Sequence, residues 1–325
     1  MRTKIMIIGA LVILLLVIGY IVMDLFNSKP AARENPFDYG MEEIRQVDSA
    51  QKLYAESGQI RPGLQEISGI AVAGDRICVS GRGGVEIYDL KGNITGHFAV
   101  DGNPGPLVIG RGGRIWLGVE DHIEVTDTTG KVIKKWKPAG SSSIITGIAV
   151  TDQNIFVADA GYKVVYRYDH AGRQVNRIGE KDPQNNIPGF VIPSPYFDLG
   201  VDREGYLWVV NPGRHRFEKY TPEGKILGKW GNASNTVDGF CGCCNPSHFT
   251  FLPDGSFVTS EKGIERIKIY SSAGNYTGMV APPGSFDEGT KGIDLAVDSM
   301  GRILVLDPVR RQVRIFEKIR AEDKR

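Results

Sequence analysis

Residues 147–179 read GIAVTDQNIFVADAGYKVVYRYDHAGRQVNRIG, and this stretch contains a complete structural unit. A short apolar strand leads through a turn into a β-branched strand, then a loop, an alternating strand and a second turn closed by glycine. The order returns along the chain in copies beginning at Gly69, Pro106, Gly147, Asp198, Phe249 and Asp294, spaced 37, 41, 51, 51 and 45 residues apart. That period is close to the ~40–50 residues of a propeller blade. Stretches such as DREG, LPDG and DSMG supply the first hairpin of a unit, and DLKG, DTTG, DHAG, TPEG and SSAG the last. Glycine stands where a positive φ is cheap. In VVYRYD and RIKIYS the apolar side chains alternate, so each unit has two faces to bury and needs a neighbour on either side.

Three of the copies resemble NHL repeats: GIAVTDQNIFVADAGYKVVYRYDHAGR (147–173), GVDREGYLWVVNPGRHRFEKYTPEGKILGKWG (200–231) and DLAVDSMGRILVLDPVRRQVRIF (294–316). The resemblance runs from about residue 69 to residue 319 and is weak in the second copy. It implies an all-β fold, a six-bladed β-propeller of four-stranded antiparallel blades that serves as a binding or scaffolding surface. The last copy ends at VRIFEKI (313–319) without a fourth strand, and MEEIRQVDSAQKLYAESG (41–58) is placed to supply it. A strand from the N-terminal side would close the ring and remove two exposed edges.

The first residues are of another kind. After MRTK, residues 5–23 (IMIIGALVILLLVIGYIVM) are nineteen uncharged, mostly apolar positions, about enough to cross a ~30 Å hydrocarbon layer as a helix. Together with the lack of a small-x-small cleavage site, this reads as an uncleaved signal-anchor. The organisation is then a transmembrane helix in 1–27, a tether in 28–40, the propeller in 41–319 and a charged tail in 320–325. Arg2 and Lys4 favour a cytoplasmic N-terminus, which puts the propeller outside the cytoplasm, in a periplasmic or extracellular setting, with the membrane as one partner. The 39 Lys and Arg nearly balance the 38 Asp and Glu, so composition gives no reason to expect a nucleic-acid partner.

Three consecutive links between units are long: 180–195, 232–248 and 281–292. In a propeller these links emerge on one face, with the loops between second and third strands, around the channel mouth. That face is the candidate site for a protein or small-molecule partner. Its candidate ligand-binding residues are Arg214, His215, Arg216, Glu261, Lys262, Arg266, Asp307, Arg310 and Arg311, whose guanidinium groups suit carboxylates or phosphates. The resemblance also implies a structural alternative, since NHL blades carry an Arg or His here that bonds neighbouring loops. Arg216, Arg266 and His215 admit that role.

The link at 239–246, GFCGCCNP, holds three of the four cysteines. Cys241, Cys243 and Cys244, with His248 four residues further on, admit three readings. A Cys241–Cys244 disulfide would pin the loop, Zn, Cu or an Fe–S centre would use thiolates and imidazole, and redox exchange would use the thiols themselves. Cys78 lies in a strand and reads as packing. For a metal-dependent lyase or hydrolase, an activity the resemblance also allows, polar groups must converge at the first strands. Those strands offer carboxylates only at Asp198 and Asp294, which could hold Ca or Mg at the channel. A binding module is therefore the primary expectation, with no catalytic residue assigned; a metal-dependent enzyme and an electron-transfer accessory are the alternatives.

Overall fold

The computed structural model describes residues 49–137, 140–184 and 187–320, together with residues 9, 12–20 and 23. The chain divides into two units, Met1–Met41 and Glu42–Arg325. The second is an all-β, six-bladed propeller.

Among the described residues, twenty-four strands form six sheets of four, each antiparallel throughout. Blade 1 is β2 (Ile67–Ala73), β3 (Arg76–Gly81), β4 (Gly84–Asp89) and β5 (Ile94–Phe98). Blade 2 is β6 (Pro104–Ile109), β7 (Ile115–Val119), β8 (His122–Thr126) and β9 (Val132–Trp136). Blade 3, from the 147–179 unit, is β10 (Ile145–Val150), β11 (Ile155–Asp159), β12 (Val164–Tyr168) and β13 (Gln174–Ile178). Blade 4 is β14 (Leu199–Val201), β15 (Leu207–Asn211), β16 (Arg216–Tyr220) and β17 (Ile226–Trp230), and blade 5 is β18 (His248–Phe251), β19 (Phe257–Glu261), β20 (Arg266–Tyr270) and β21 (Tyr276–Ala281). Blade 6 takes β22 (Leu295–Val297), β23 (Ile303–Asp307) and β24 (Gln312–Lys318) from the end of the chain and β1 (Tyr54–Ile60) from its beginning.

Short aspartate turns set the hairpins. Asp89 Oδ1 accepts the N–H groups of Lys91 (2.8 Å) and Asn93 (2.9 Å). Asp169 does the same for Ala171 and Arg173, Asp202 for Glu204 and Tyr206, and Asp298 for Met300 and Arg302. Each carboxylate thus satisfies two turn donors that no strand reaches. The glycine three residues after each aspartate, Gly92, Gly172, Gly205 or Gly301, takes the positive φ that ends the turn.

Ring closure comes from the N-terminal strand. β1 lies antiparallel to β24 from Tyr54 opposite Lys318 to Ile60 opposite Val313, with a bulge between Glu56 and Gly58. Arg314 Nη2 holds Glu56 at 2.6 Å across the pair, and Leu53 N–H reaches Met279 O of blade 5 at 2.8 Å. Blade interfaces are apolar, and the one between blades 4 and 5 is strongly aromatic. Phe217 stacks on Trp230 with centroids 4.4 Å apart, and Phe257 meets Trp208 and Trp230 edge-on, both at 4.9 Å.

The anchor and tether expected over 1–40 fall mostly outside the described residues. Within that stretch residues 12–20 are helical, and no helix among the described residues is long and apolar enough to cross a membrane.

Ile60, on the closing strand, is 5% exposed, whereas Ile94 on the outer strand β5 is 58% exposed. Ile60→Ala should cost about 2–5 kcal/mol in chemical denaturation and Ile94→Ala less than about 0.5 kcal/mol. Equal losses would show that the closing strand does not carry stability.

Candidate functional site

The register of the blades changes one reading of the sequence. Leu199 pairs with Val209, Phe249 with Thr259 and Leu295 with Val305, each partner being the third residue of its second strand. The residue equivalent to Asp198 and Asp294 is therefore His248, and the fifth repeat begins one position before Phe249. Blades 1, 2 and 3 carry Gly69, Pro106 and Gly147 at this place. Half of the channel ring thus bears ionisable side chains and half bears none. Packing keeps Gly69 bare, because a Cβ there would lie 2.3 Å from Gly105 O.

Asp198, His248 and Asp294 converge, with one donor atom from each lying within 4.8 Å of the others. His248 Nδ1 is 3.7 Å from both Asp198 Oδ2 and Asp294 Oδ1, too far for direct hydrogen bonds. The carboxylates are held by backbone donors. Asp198 accepts Leu199 N–H at 2.8 Å and, from the next blade, Phe249 N–H at 3.0 Å. Asp294 accepts Leu295 N–H at 2.8 Å and, across the closure of the ring, Ile70 N–H at 2.9 Å. They brace blade to blade and flank His248 at the same time.

Burial, and after it the neighbouring Asp294, pushes the Asp198 carboxyl well above its ordinary value. Asp294 is also raised by burial, with His248 and two backbone donors opposing. Burial lowers the His248 imidazole, with Asp294 opposing. The three groups open into a cavity of about 460 Å³ whose wall includes Tyr196, Lys291 and Pro308. Links and second-to-third-strand loops therefore do meet at one mouth.

His248 does not join the cysteines. Among the described residues the only cluster of three or more His, Cys, Asp or Glu groups with metal-like convergence is the channel triad, so the four-ligand site of Cys241, Cys243, Cys244 and His248 is not formed. The Cys241–Cys244 disulfide is absent as well: all four cysteines are free thiols, and the close sulfur pair is Cys243–Cys244 at 3.0 Å. A loop stapled in other ways needs no covalent pin. Asn245 Nδ2 donates to Cys241 O (2.6 Å) and Lys262 O (2.9 Å), and Asn245 Oδ1 accepts Lys262 N–H at 2.9 Å. Phe240 is wholly buried between Tyr270 and Trp230.

Beneath the loop sits an ionic cluster of Glu261, Arg266 and Lys268, the first two of which the sequence puts among the loop-face candidates. Glu261 and Arg266 are fully buried, not presented to a ligand, because both lie on the interior strands β19 and β20. Glu261 Oε1 is 2.8 Å from Arg266 Nε and 2.9 Å from Lys268 Nζ. Lys268 donates to Gly239 O (2.6 Å) and Val237 O (3.0 Å), and Arg266 to Gly239 O (3.2 Å). The two cations clamp the loop from below. Burial brings Lys268 down to about 8, against the pull of Glu261.

The other candidates scatter. Arg216 pairs with Glu218, and His215 Nε2 bonds Gly242 O of the cysteine loop. Arg214 Nε is buried without a hydrogen-bond partner. Asp307 is buried and accepts Arg310 N–H, while the Arg310 guanidinium pairs with Asp287 and Arg311 is exposed. Lys262 Nζ bonds Ser194 Oγ at 3.0 Å and stands 4.8 Å above the Tyr196 ring, which makes a T-shaped contact with His248.

No protein-family model matches the chain, and no curated protein matches it. Solved structures share the architecture. A streptogramin B lyase aligns with a TM-score of 0.58 at 12% identity, covering 84% of this chain and 100% of its own. The virginiamycin B lyase from Staphylococcus aureus gives 0.57 at 14% identity, covering 82% and 100%. The WD40 β-propeller domain of Doa1 gives 0.56 at 13% identity, covering 82% and 98%. At these identities the likeness shows the fold alone.

Glu261→Gln leaves two buried cations without their counter-charge and should cost about 3–5 kcal/mol; a loss below about 1 kcal/mol in chemical denaturation would contradict the clamp. A second expectation concerns pH in the presence of chelator. Asp198 and Asp294, raised on folding, bind protons more tightly folded than unfolded, so their contribution is complete below a pH of about 4 and is lost as pH rises through the raised values. His248, lowered on folding, acts in the opposite sense, adding stability as pH rises towards about 6.5. The wild-type melting temperature should fall with pH above about 4, and Asp198→Asn should flatten the fall. An unchanged slope in the variant would show that the pair does not titrate as described.

Proposed function

We propose that this protein is an NHL-type propeller, anchored in a membrane by residues 1–27 with its blades outside the cytoplasm, that binds its ligand at the channel mouth. The single observation carrying the binding site is the half-ring of Asp198, His248 and Asp294 facing Gly69, Pro106 and Gly147 over the 460 Å³ cavity. The repeats quoted above support the NHL assignment, and the nineteen uncharged residues 5–23 support the anchor.

The donor set fits a divalent cation. Two donors each about 2.1 Å from a tetrahedral ion stand about 3.4 Å apart, and the observed 3.7 Å separations from His248 Nδ1 are close to that edge. Two half-buried carboxylates, both raised by desolvation, also call for a positive charge between them. Carboxylates alone suit Ca or Mg, but an imidazole between them moves the preference towards Zn or Mn. A cation seated there would leave open positions towards the cavity, where an oxygen-bearing ligand could complete its coordination.

A second reading, a metal-dependent lyase or hydrolase, is favoured by the same triad, since an ion with open positions polarises a bound carbonyl. Two of the solved neighbours are described as a streptogramin B lyase and a virginiamycin B lyase. In that reading His248 and the carboxylates hold the ion, and no residue here is assigned as acid or base. An electron-transfer role has no comparable support, because the cysteines and His248 do not form one centre.

Titration calorimetry of the full chain in detergent, with the chlorides of Mn, Zn, Mg and Ca, tests the site. His248→Ala and Asp294→Ala should each weaken the tightest-bound ion on the order of 100-fold or more. Undiminished stoichiometric binding in both variants would place the ion elsewhere and overturn the reading.

A further inference from the structure

Cys243 and Cys244 are neighbours in sequence and unlike in setting. Cys243 is exposed, Cys244 is 2% exposed, and their sulfurs are 3.0 Å apart. That separation lies between the ~2.05 Å of a disulfide and the ~3.8 Å edge spanned by two thiolates about 2.3 Å from tetrahedral zinc. It suits a pair poised to form a bond better than a pair spread around an ion. Cys241 is held apart from them by its own role in the loop, where its carbonyl accepts Asn245 and its buried thiol is raised by desolvation and by Glu261.

The surroundings supply a positive charge. Lys262 is fixed by Ser194 Oγ and by the Tyr196 ring. Burial alone would raise the Cys244 thiol, yet hydrogen bonds from Cys243, Ser194 and Lys262, with the Lys262 charge, bring it below its ordinary value. Cys243 moves the other way, first because it donates to Cys244. In the singly deprotonated pair Cys243 donates to Cys244, and Lys262 steadies the negative charge.

We propose that Cys243 and Cys244 form a thiol–disulfide exchange couple that reacts at the surface with small organic disulfides and closes into a vicinal disulfide. The proton of Cys243 passes to Cys244, and the exposed Cys243 thiolate attacks a disulfide R–S–S–R. A Cys243–S–S–R bond forms and RS⁻ leaves. RS⁻ takes the proton from Cys244, whose thiolate, beside Lys262, attacks Cys243 Sγ. The Cys243–Cys244 bond forms and a second RS⁻ departs, so the pair loses two electrons and one proton while the disulfide is reduced to RSH and RS⁻. Neither step uses the channel triad, so the couple stands or falls independently of cation binding.

The reduced full-length protein is treated with hydroxyethyl disulfide at neutral pH, and peptides are sequenced by mass spectrometry. The expected wild-type product is a peptide lighter by two hydrogen atoms, bridged between Cys243 and Cys244, with no lasting hydroxyethyl adduct. Cys244→Ser should retain the adduct on Cys243, and Lys262→Gln should slow closure on the order of tenfold, with Lys262→Arg restoring most of it. The proposal is overturned by a wild-type adduct that persists on Cys243, by a bridge made between Cys241 and Cys244 instead, or by Lys262→Gln closing at the wild-type rate.

Discussion

Everything in this molecule depends on the pairing of β1 with β24. A blade has two apolar faces and two edges, and neither face is satisfied until a neighbour covers it. Six blades in a ring cover one another, but the ring stays open until the beginning and the end of the chain share a sheet. The register from Tyr54 to Ile60 against Lys318 to Val313 makes that join, and Asp294 reinforces it from the channel side by bonding Ile70 N–H of the first blade. The same contact that closes the ring therefore helps to build the polar half of the channel.

The channel is lopsided for reasons of packing as much as of chemistry. On one side backbone approaches too closely at Gly69 to admit a side chain. On the other, long links leave room for Asp198, His248 and Asp294. Carboxylates that brace neighbouring blades through backbone N–H groups are already oriented before any ligand arrives, so little ordering remains to oppose binding. That is a property of the scaffold, and it holds for a binding protein and an enzyme alike.

The fold was legible because its signal is repeated. The DxxG turns, the alternating third strands and the missing fourth strand of the last copy each point to one architecture, and the structure agrees in every blade. The site was legible only in part. Asp198 and Asp294 were found, but His248 was grouped with the cysteines four and more positions before it. Counting back from the hairpin glycines would have corrected this: Asp198, His248 and Asp294 each stand seven residues before Gly205, Gly255 and Gly301. Glu261 and Arg266 were misjudged for a different reason. Nothing in SEKGIER shows that its charged ends sit on strands buried under a folded link, because burial of that kind is decided by residues 237–239, far away in sequence. The close approach of the Cys243 and Cys244 sulfurs, in a loop held by Phe240 and Asn245, is likewise not revealed by spacing alone.

The buried Glu261–Arg266–Lys268 cluster fastens the cysteine link to the same sheet that carries His248, and the Tyr196 ring touches both His248, in a T-shaped contact, and Lys262, with its face. Sulfur and imidazole are thus mounted on one stiff bracket. The bracket fixes the span between the cysteine link and the imidazole.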